Sequence, residues 1–118
     1  MSLVMKKYRY NHKDYLVYER NLLAREFDAN EWQTICNNDL GVGVDFIIEI
    51  INTQIFTYDM YGQKIDLNQD LQFVIDYHEG ILKDDNILAQ FTCDIEVRFT
   101  NYYINKLANL VTKKAYSA

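Results

Sequence analysis

The stretch Leu71-Gln72-Phe73-Val74-Ile75-Asp76-Tyr77-His78-Glu79 decides how this 118-residue chain is read. Wound as a helix, it places Leu71, Phe73, Val74, Ile75 and Tyr77 over most of its circumference, and Gly80 behind it supplies a C-terminal stop. A helix that is apolar on most sides must be covered on most sides, because the exposed apolar area is otherwise too large. The neighbouring segments offer strands for that cover. The pattern therefore predicts an α+β domain in which a curved, mainly antiparallel sheet wraps around this central apolar helix.

Upstream of that helix, 46–51 and 54–59 are β-branched and aromatic runs joined by Asn52-Thr53, a hairpin, and Gly62 marks a further turn. Asp28 and Glu31 have the spacing of a capping box. Trp32, Ile35 and Cys36 follow at helical spacing, predicting a short amphipathic helix that runs to Leu40 and stops at Gly41. Tyr8–Tyr10 and Tyr15–Glu19 flank the polar Asn11-His12-Lys13-Asp14 and read as an opening hairpin. Downstream, Cys93, Ile95, Val97 and Phe99 alternate with Thr92, Asp94, Glu96 and Arg98, the period of a half-buried strand with Cys93 facing inward. Ile104, Leu107, Ala108 and Val111 then follow Asn101 at helical spacing, with Lys113 and Lys114 near the negative end of the helix dipole. Strands arriving in pairs between helices argue against parallel βαβ winding. No linker, repeat or low-complexity segment divides the chain, so residues 1–118 are expected to form one domain.

Composition narrows the function classes. A 49% hydrophobic chain of this length can bury a core without disulfides or metal. The net charge of −5 argues against a nucleic-acid partner or an anionic membrane surface, since both need clustered cations, and the basic clusters are only Lys6-Lys7 and Lys113-Lys114. No apolar run approaches a membrane span, and the first five residues are too short for a signal-peptide core, so a cytoplasmic protein is expected. Cys36 and Cys93 form neither a C-x-x-C pair nor a disulfide framework and are expected to be reduced.

Few motifs carry chemistry. Gly41-Val42-Gly43 resembles the opening of a dinucleotide fingerprint, but it lacks the third glycine and stands between a helix and a strand, the reverse of the order that aims a helix N-terminus at a pyrophosphate. His12 and His78 have no partner at metal-ligand spacing, and His78 reads as a dipole complement at a helix end. Both cysteines lie on apolar faces without a cationic neighbour, the setting of an inert thiol. The acidic set Asp59, Asp66 and Asp70 has two readings: a solvated turn with a helix cap, or a pocket for a cationic group such as an amine.

A family resemblance enters at 34–45. Thr34-Ile35-Cys36-Asn37-Asn38-Asp39-Leu40-Gly41-Val42-Gly43-Val44-Asp45 resembles the helix-to-strand junction of diaminopimelate epimerases, which reads approximately I-C-D-R-x-F-G-I-G-A-D. Tyr58-Asp59-Met60-Tyr61-Gly62 is similar to the family's F-N-A-D-G turn, 71–77 to the buried helix after it, and His12-Lys13-Asp14-Tyr15-Leu16-Val17 to H-G-L-G-N-D-F-I-V with a shortened loop. The resemblance covers roughly residues 6–80 and fades beyond. It implies one lobe with a sheet around a central helix. Members of the family are two-lobed and cofactor-independent, and each lobe gives one cysteine to a pair that flanks the substrate α-carbon. One thiolate removes a proton while the opposite thiol returns one.

Against that pattern this chain has about half the length. The family's C-G-N-G aligns with Asn68-Gln69-Asp70, which puts Asn68 where the proton-transfer cysteine belongs and removes both glycines that let backbone N–H groups reach the substrate carboxylate. A carboxamide has no pKa near neutrality with which to exchange a proton. The family's substrate-contacting asparagines become Lys13 and Asp59, and Cys36 matches a cysteine of the first helix that does not transfer protons.

The resemblance implies a catalytically inactive single-lobe protein. It would associate with a second copy through the face that otherwise packs on its twin lobe, and it would bind a small amino-acid-like or amine ligand near Lys13, Asp59, Asn68, Gln69 and Asp70, without metal or cofactor. The alternative is one half of a cofactor-independent amino-acid epimerase or isomerase completed by a second lobe. A third reading is a truncated copy without selected activity.

Overall fold

The computed structural model describes residues 3–21 and 24–107. β1 (Leu3–Tyr10) and β2 (Lys13–Arg20) form an antiparallel hairpin, longer than the aromatic runs suggested, around a two-residue turn in which Asn11 and His12 both have positive φ. That left-handed pair matches strand twist in a tight hairpin. α1 (Ala29–Cys36) starts at Asp28 with both arms of the capping box made: the Glu31 N–H donates to Asp28 Oδ1 at 2.8 Å and the Asp28 N–H donates to Glu31 Oε1 at 3.3 Å. The helix ends at Cys36, short of the expected Gly41. Asn37 Oδ1 accepts from the N–H groups of Asp39 and Leu40 in an Asx turn that diverts the chain first. The chain then folds back on the helix, and a Cβ at Gly41 would lie 2.1 Å from the Ile35 carbonyl oxygen.

β3 (Phe46–Ile51) and β4 (Gln54–Asp59) form the second hairpin at the expected bounds, and β5 (Lys64–Ile65) adds a short strand. α2 (Gln69–His78) and α3 (Asp85–Leu88) lead to β6 (Phe91–Phe99), after which 101–107 is helical (α4). Ala108, Val111, Lys113 and Lys114, expected to continue α4, lie outside the described residues.

Among the described residues six strands make one sheet in the order β5-β4-β3-β2-β1-β6. Every neighbouring pair is antiparallel except β2 and β3, which run parallel in the register Tyr15↔Phe46 to Arg20↔Ile51 with α1 as their crossover. One βαβ unit thus stands where the pairing of strands argued against any. Its two strands are covered on both faces: Tyr15, Leu16, Val17 and Tyr18 are consecutive buried residues, as are Ile47, Ile48, Glu49 and Ile50.

Two cores follow from this, one on each side of the sheet. On one side Leu16, Tyr18 and Ile47 pack with Trp32, Ile35 and Cys36 of α1 and Leu107 of α4. On the other, Tyr15, Val17 and Ile48 pack with Leu71, Val74 and Ile75 of α2. Helix α2 is therefore not enclosed by a wrapped sheet. Its buried residues repeat at i, i+3 and i+4 on one face, Phe73 and Tyr77 flank that face partly buried, and Gln72 and Asp76 bond each other on its outer part at 2.8 Å. The architecture is mixed α+β, with the sheet as a middle layer.

Candidate functional site

The site residues are positioned by the end of the sheet where β2 and β3 begin, β4 finishes and α2 starts. Asp14 and Asp45 lock the two parallel strands together there: the Asp14 N–H donates to Asp45 Oδ2 and the Asp45 N–H to the Asp14 carbonyl, each at 2.9 Å. Next in register, the Tyr15 and Phe46 rings stack with centroids 5.4 Å apart, and Phe46 stands opposite Asp59.

Lys13, exposed at the start of β2, holds its ammonium 5.6 Å from the Phe46 ring centroid, a cation–π contact. Asp59 ends β4 and is used locally, its Oδ1 accepting from the N–H groups of Tyr61 at 2.9 Å and Gln63 at 3.0 Å. Asn68 is the N-cap of α2, its Oδ1 accepting from the Leu71 N–H at 2.8 Å. Gln69 is exposed in the first turn beside half-buried Asp70. Burial, and then the Asp70 charge, push the phenols of Tyr10 and Tyr15 up, Tyr15 to about 12. Both phenols therefore stay neutral at physiological pH.

Lys13 and Asp59 thus lie at the same end of the sheet, but the Asp59 charge acts on Cys36 on the α1 side whereas the Asp70 charge acts on Tyr10 and Tyr15 on the α2 side. Among the described residues the five make no hydrogen bond or ion pair with one another. Of the acidic set, Asp59 serves its turn, while the cap of α2 is made by Asn68 and not by an acid. Asp70 leaves its carboxylate near the sheet end, while Lys13 lies over an aromatic ring.

Neither thiol lies at the start of α2. Cys36 is 5% exposed in the core beneath α1, on the other side of the sheet, and lines a cavity of about 220 Å³ with Gln33, Asn37, Asn38, Met60 and Tyr61. Burial, and secondarily the charges of Asp59 and Asp45, push its thiol up to about 12. Cys93 stands opposite Arg9 on strand β6, on the face shared with Val97 and Phe99, with Sγ 4.0 Å from the Lys7 carbonyl. Cys93 is half-buried and Ile95 beside it is exposed, so β6 is covered toward Phe99 on this face and at Phe91 on the other, with its middle open. Both thiols are free.

Sequence reasoning missed a polar chain at the other end of α2. His78 Nδ1 is 2.7 Å from the Tyr8 hydroxyl, and Nε2 is 3.2 Å from Glu19 Oε1. A carboxylate only accepts, so with neutral imidazole Nε2 carries the proton and Nδ1 accepts from Tyr8. His78 is thus a clamp between helix and sheet as well as a dipole complement. Its partners lie on β1 and β2, and no local spacing signals them. Beside it Asp94 bonds Lys6 at 2.6 Å and the Tyr77 hydroxyl at 3.1 Å, and the Lys6 contact holds the Asp94 carboxyl below the usual carboxylate range. On the α1 side, buried Glu49 accepts from Arg20 Nε at 3.1 Å.

Among the described residues no group of three or more His, Cys, Asp and Glu is placed to hold a metal ion, and no helix is long and apolar enough to cross a membrane. No protein-family model matches the chain, and no curated protein matches it.

Proposed function

We propose that the chain is a non-catalytic, single-lobe protein of the diaminopimelate-epimerase kind. In this reading it is a self-associating module that presents Asp59 and Asp70, with Gln69 and Lys13, to a small amine-bearing ligand. The observation that carries the reading is Asn68: where the resemblance locates a proton-transferring thiol, a carboxamide is engaged in capping the Leu71 N–H. An amide held as an acceptor neither removes nor returns an α-proton. The two cysteines lie on the face opposite α2, one of them with its thiol pushed up to about 12. Two opposed thiols are the requirement for inversion in the family, and neither Cys36 nor Cys93 stands at this helix start.

The test is α-proton exchange. In heavy water, NMR follows deuterium entry at the α-carbon of diaminopimelate, with C93S and C36S as controls. No incorporation above the protein-free rate is expected. Incorporation that disappears in either variant refutes the non-catalytic reading. In the same samples, backbone amide shifts at Gln69 and Asp70 should move with added 1,5-diaminopentane and not with glutarate, and the reverse preference removes the amine assignment.

A further inference from the structure

Among the described residues helices pack on both faces of the sheet. What remains unpaired among the described residues is an edge. At one side the sheet closes with β5, two residues long, which is a blunted edge. At the other it closes with β6, nine residues long, with Thr92, Asp94, Ile95, Glu96 and Arg98 all exposed. No proline interrupts that strand, and its pairing with β1 is regular from Leu3↔Phe99 to Arg9↔Cys93. Long regular edges of this kind are templates for another strand.

We propose that two copies of this chain join edge to edge through β6, antiparallel about a two-fold axis at Val97, so that one sheet runs through both. This rests on the self-association in the proposed function and specifies its geometry. A two-fold axis normal to the sheet keeps each side chain on its own face, and charge then selects the register. Centred on Val97, the pairing sets Glu96 of each copy against Arg98 of the other, and Ile95 against Phe99, with Val97 on Val97. Moving the centre to Glu96 or Arg98 sets that residue against its own copy. Moving it to Ile95 sets Asp94 against Glu96, a like-charge pair. Among the described residues Glu96 and Arg98 have no salt bridge of their own, whereas Asp94 and Lys6 have each other. The same docking covers Ile95, which is 51% exposed.

Two measurements on the full chain test this. In a C93S background, V97C brings two thiols to facing positions about 4.5–5.5 Å apart at Cα, within disulfide reach, so oxidation should give a covalent dimer, while I95C, which faces Phe99, should give little. By sedimentation equilibrium, E96R should weaken dimerisation about tenfold or more by setting like charges opposed, and the swap E96R/R98E should restore it. A chain that stays monomeric up to about 1 mM overturns both this geometry and the self-association reading. A dimer that ignores the charge swap and fails to cross-link through V97C overturns the β6 edge alone, because another surface then holds the copies together.

Discussion

The sharpest chemical consequence of the fold concerns Cys36. Its thiol is raised from 9.0 to about 12, chiefly by burial beneath α1 and then by the negative charges of Asp59 and Asp45. At pH 8 the reactive thiolate is then about one molecule in ten thousand, against about one in ten for a thiol at 9.0, so the raised pKa slows thiolate chemistry about a thousandfold. C93S leaves Cys36 as the only thiol, and its reaction with a disulfide reagent can be followed in native buffer and in denaturant. The native rate at pH 8 should be about a thousandfold below the denatured rate and should climb about tenfold per pH unit until the fold itself is lost. A native C93S sample that gives one fast thiol per chain at pH 8, within tenfold of the denatured rate, would show that Cys36 is open and ionisable. The case for a chain without thiol chemistry would then rest on Asn68 alone.

Three further perturbations follow from the packing. Burial raises the Tyr15 phenol to about 12 and the Cys36 thiol likewise. Both groups are protonated in the folded state and ionise near their ordinary values when unfolded, so stability is full below about pH 9 and falls as pH rises toward 12. In an absorbance titration at 295 nm part of the signal of the ten tyrosines should appear only together with loss of circular dichroism, and the full tyrosine signal near pH 10 in a native fold would contradict this. Gly62 and Gly80 have φ of +74 and +75, but an added Cβ at Gly62 lies 2.2 Å from the Ala29 carbonyl oxygen whereas at Gly80 it meets nothing within 4 Å. G80A should cost about 1–2 kcal/mol in urea unfolding and G62A at least ~2 kcal/mol more, equal losses being the refuting result. E49A strands the Arg20 guanidinium, whose side chain is only 13% exposed, and should cost about 2–3 kcal/mol, while E49L/R20M recovers most of it; a loss under about 1 kcal/mol for E49A would show the pair to be well solvated.

Local chemistry was legible in the sequence and long-range partnership was not. The start of α1 follows from Asp28 and Glu31, the β3–β4 hairpin from two β-branched runs around Asn52-Thr53, and β6 from its strict alternation. Adjacency in the sequence favours hairpins and hides the parallel β2–β3 pairing, although a signal is present: Tyr15–Tyr18 and Ile47–Ile50 are nearly continuous apolar runs, the mark of strands buried on both faces. The broad apolar arc of α2 misled for a related reason. Tyr77 stacks on Phe91 with centroids 4.0 Å apart and Phe73 meets Tyr10, so its flanks are aromatic contacts with the strand ends rather than the lining of a wrapped sheet. At the site, the turn and cap roles of Asp59 and Asn68 are short-range hydrogen bonding of a kind that residue type announces. The Tyr8–His78–Glu19 chain joins residues that only the folded sheet brings together.

The place of β6 beside β1 also bears on how the chain is made. β1 finds its inner partner at once, across the turn at Asn11-His12, but its outer partner begins at Phe91, about eighty residues later. At about 5–20 residues per second of translation, the outer rim of the nascent β1–β2 ribbon waits roughly 4–16 seconds for its neighbour. Until 69–78 is made, Tyr8 and Tyr10, buried in the finished molecule, have neither β6 beside them nor α2 above them, and a chain halted before Phe91 would keep the outer rim of β1 as a permanent, adhesive margin.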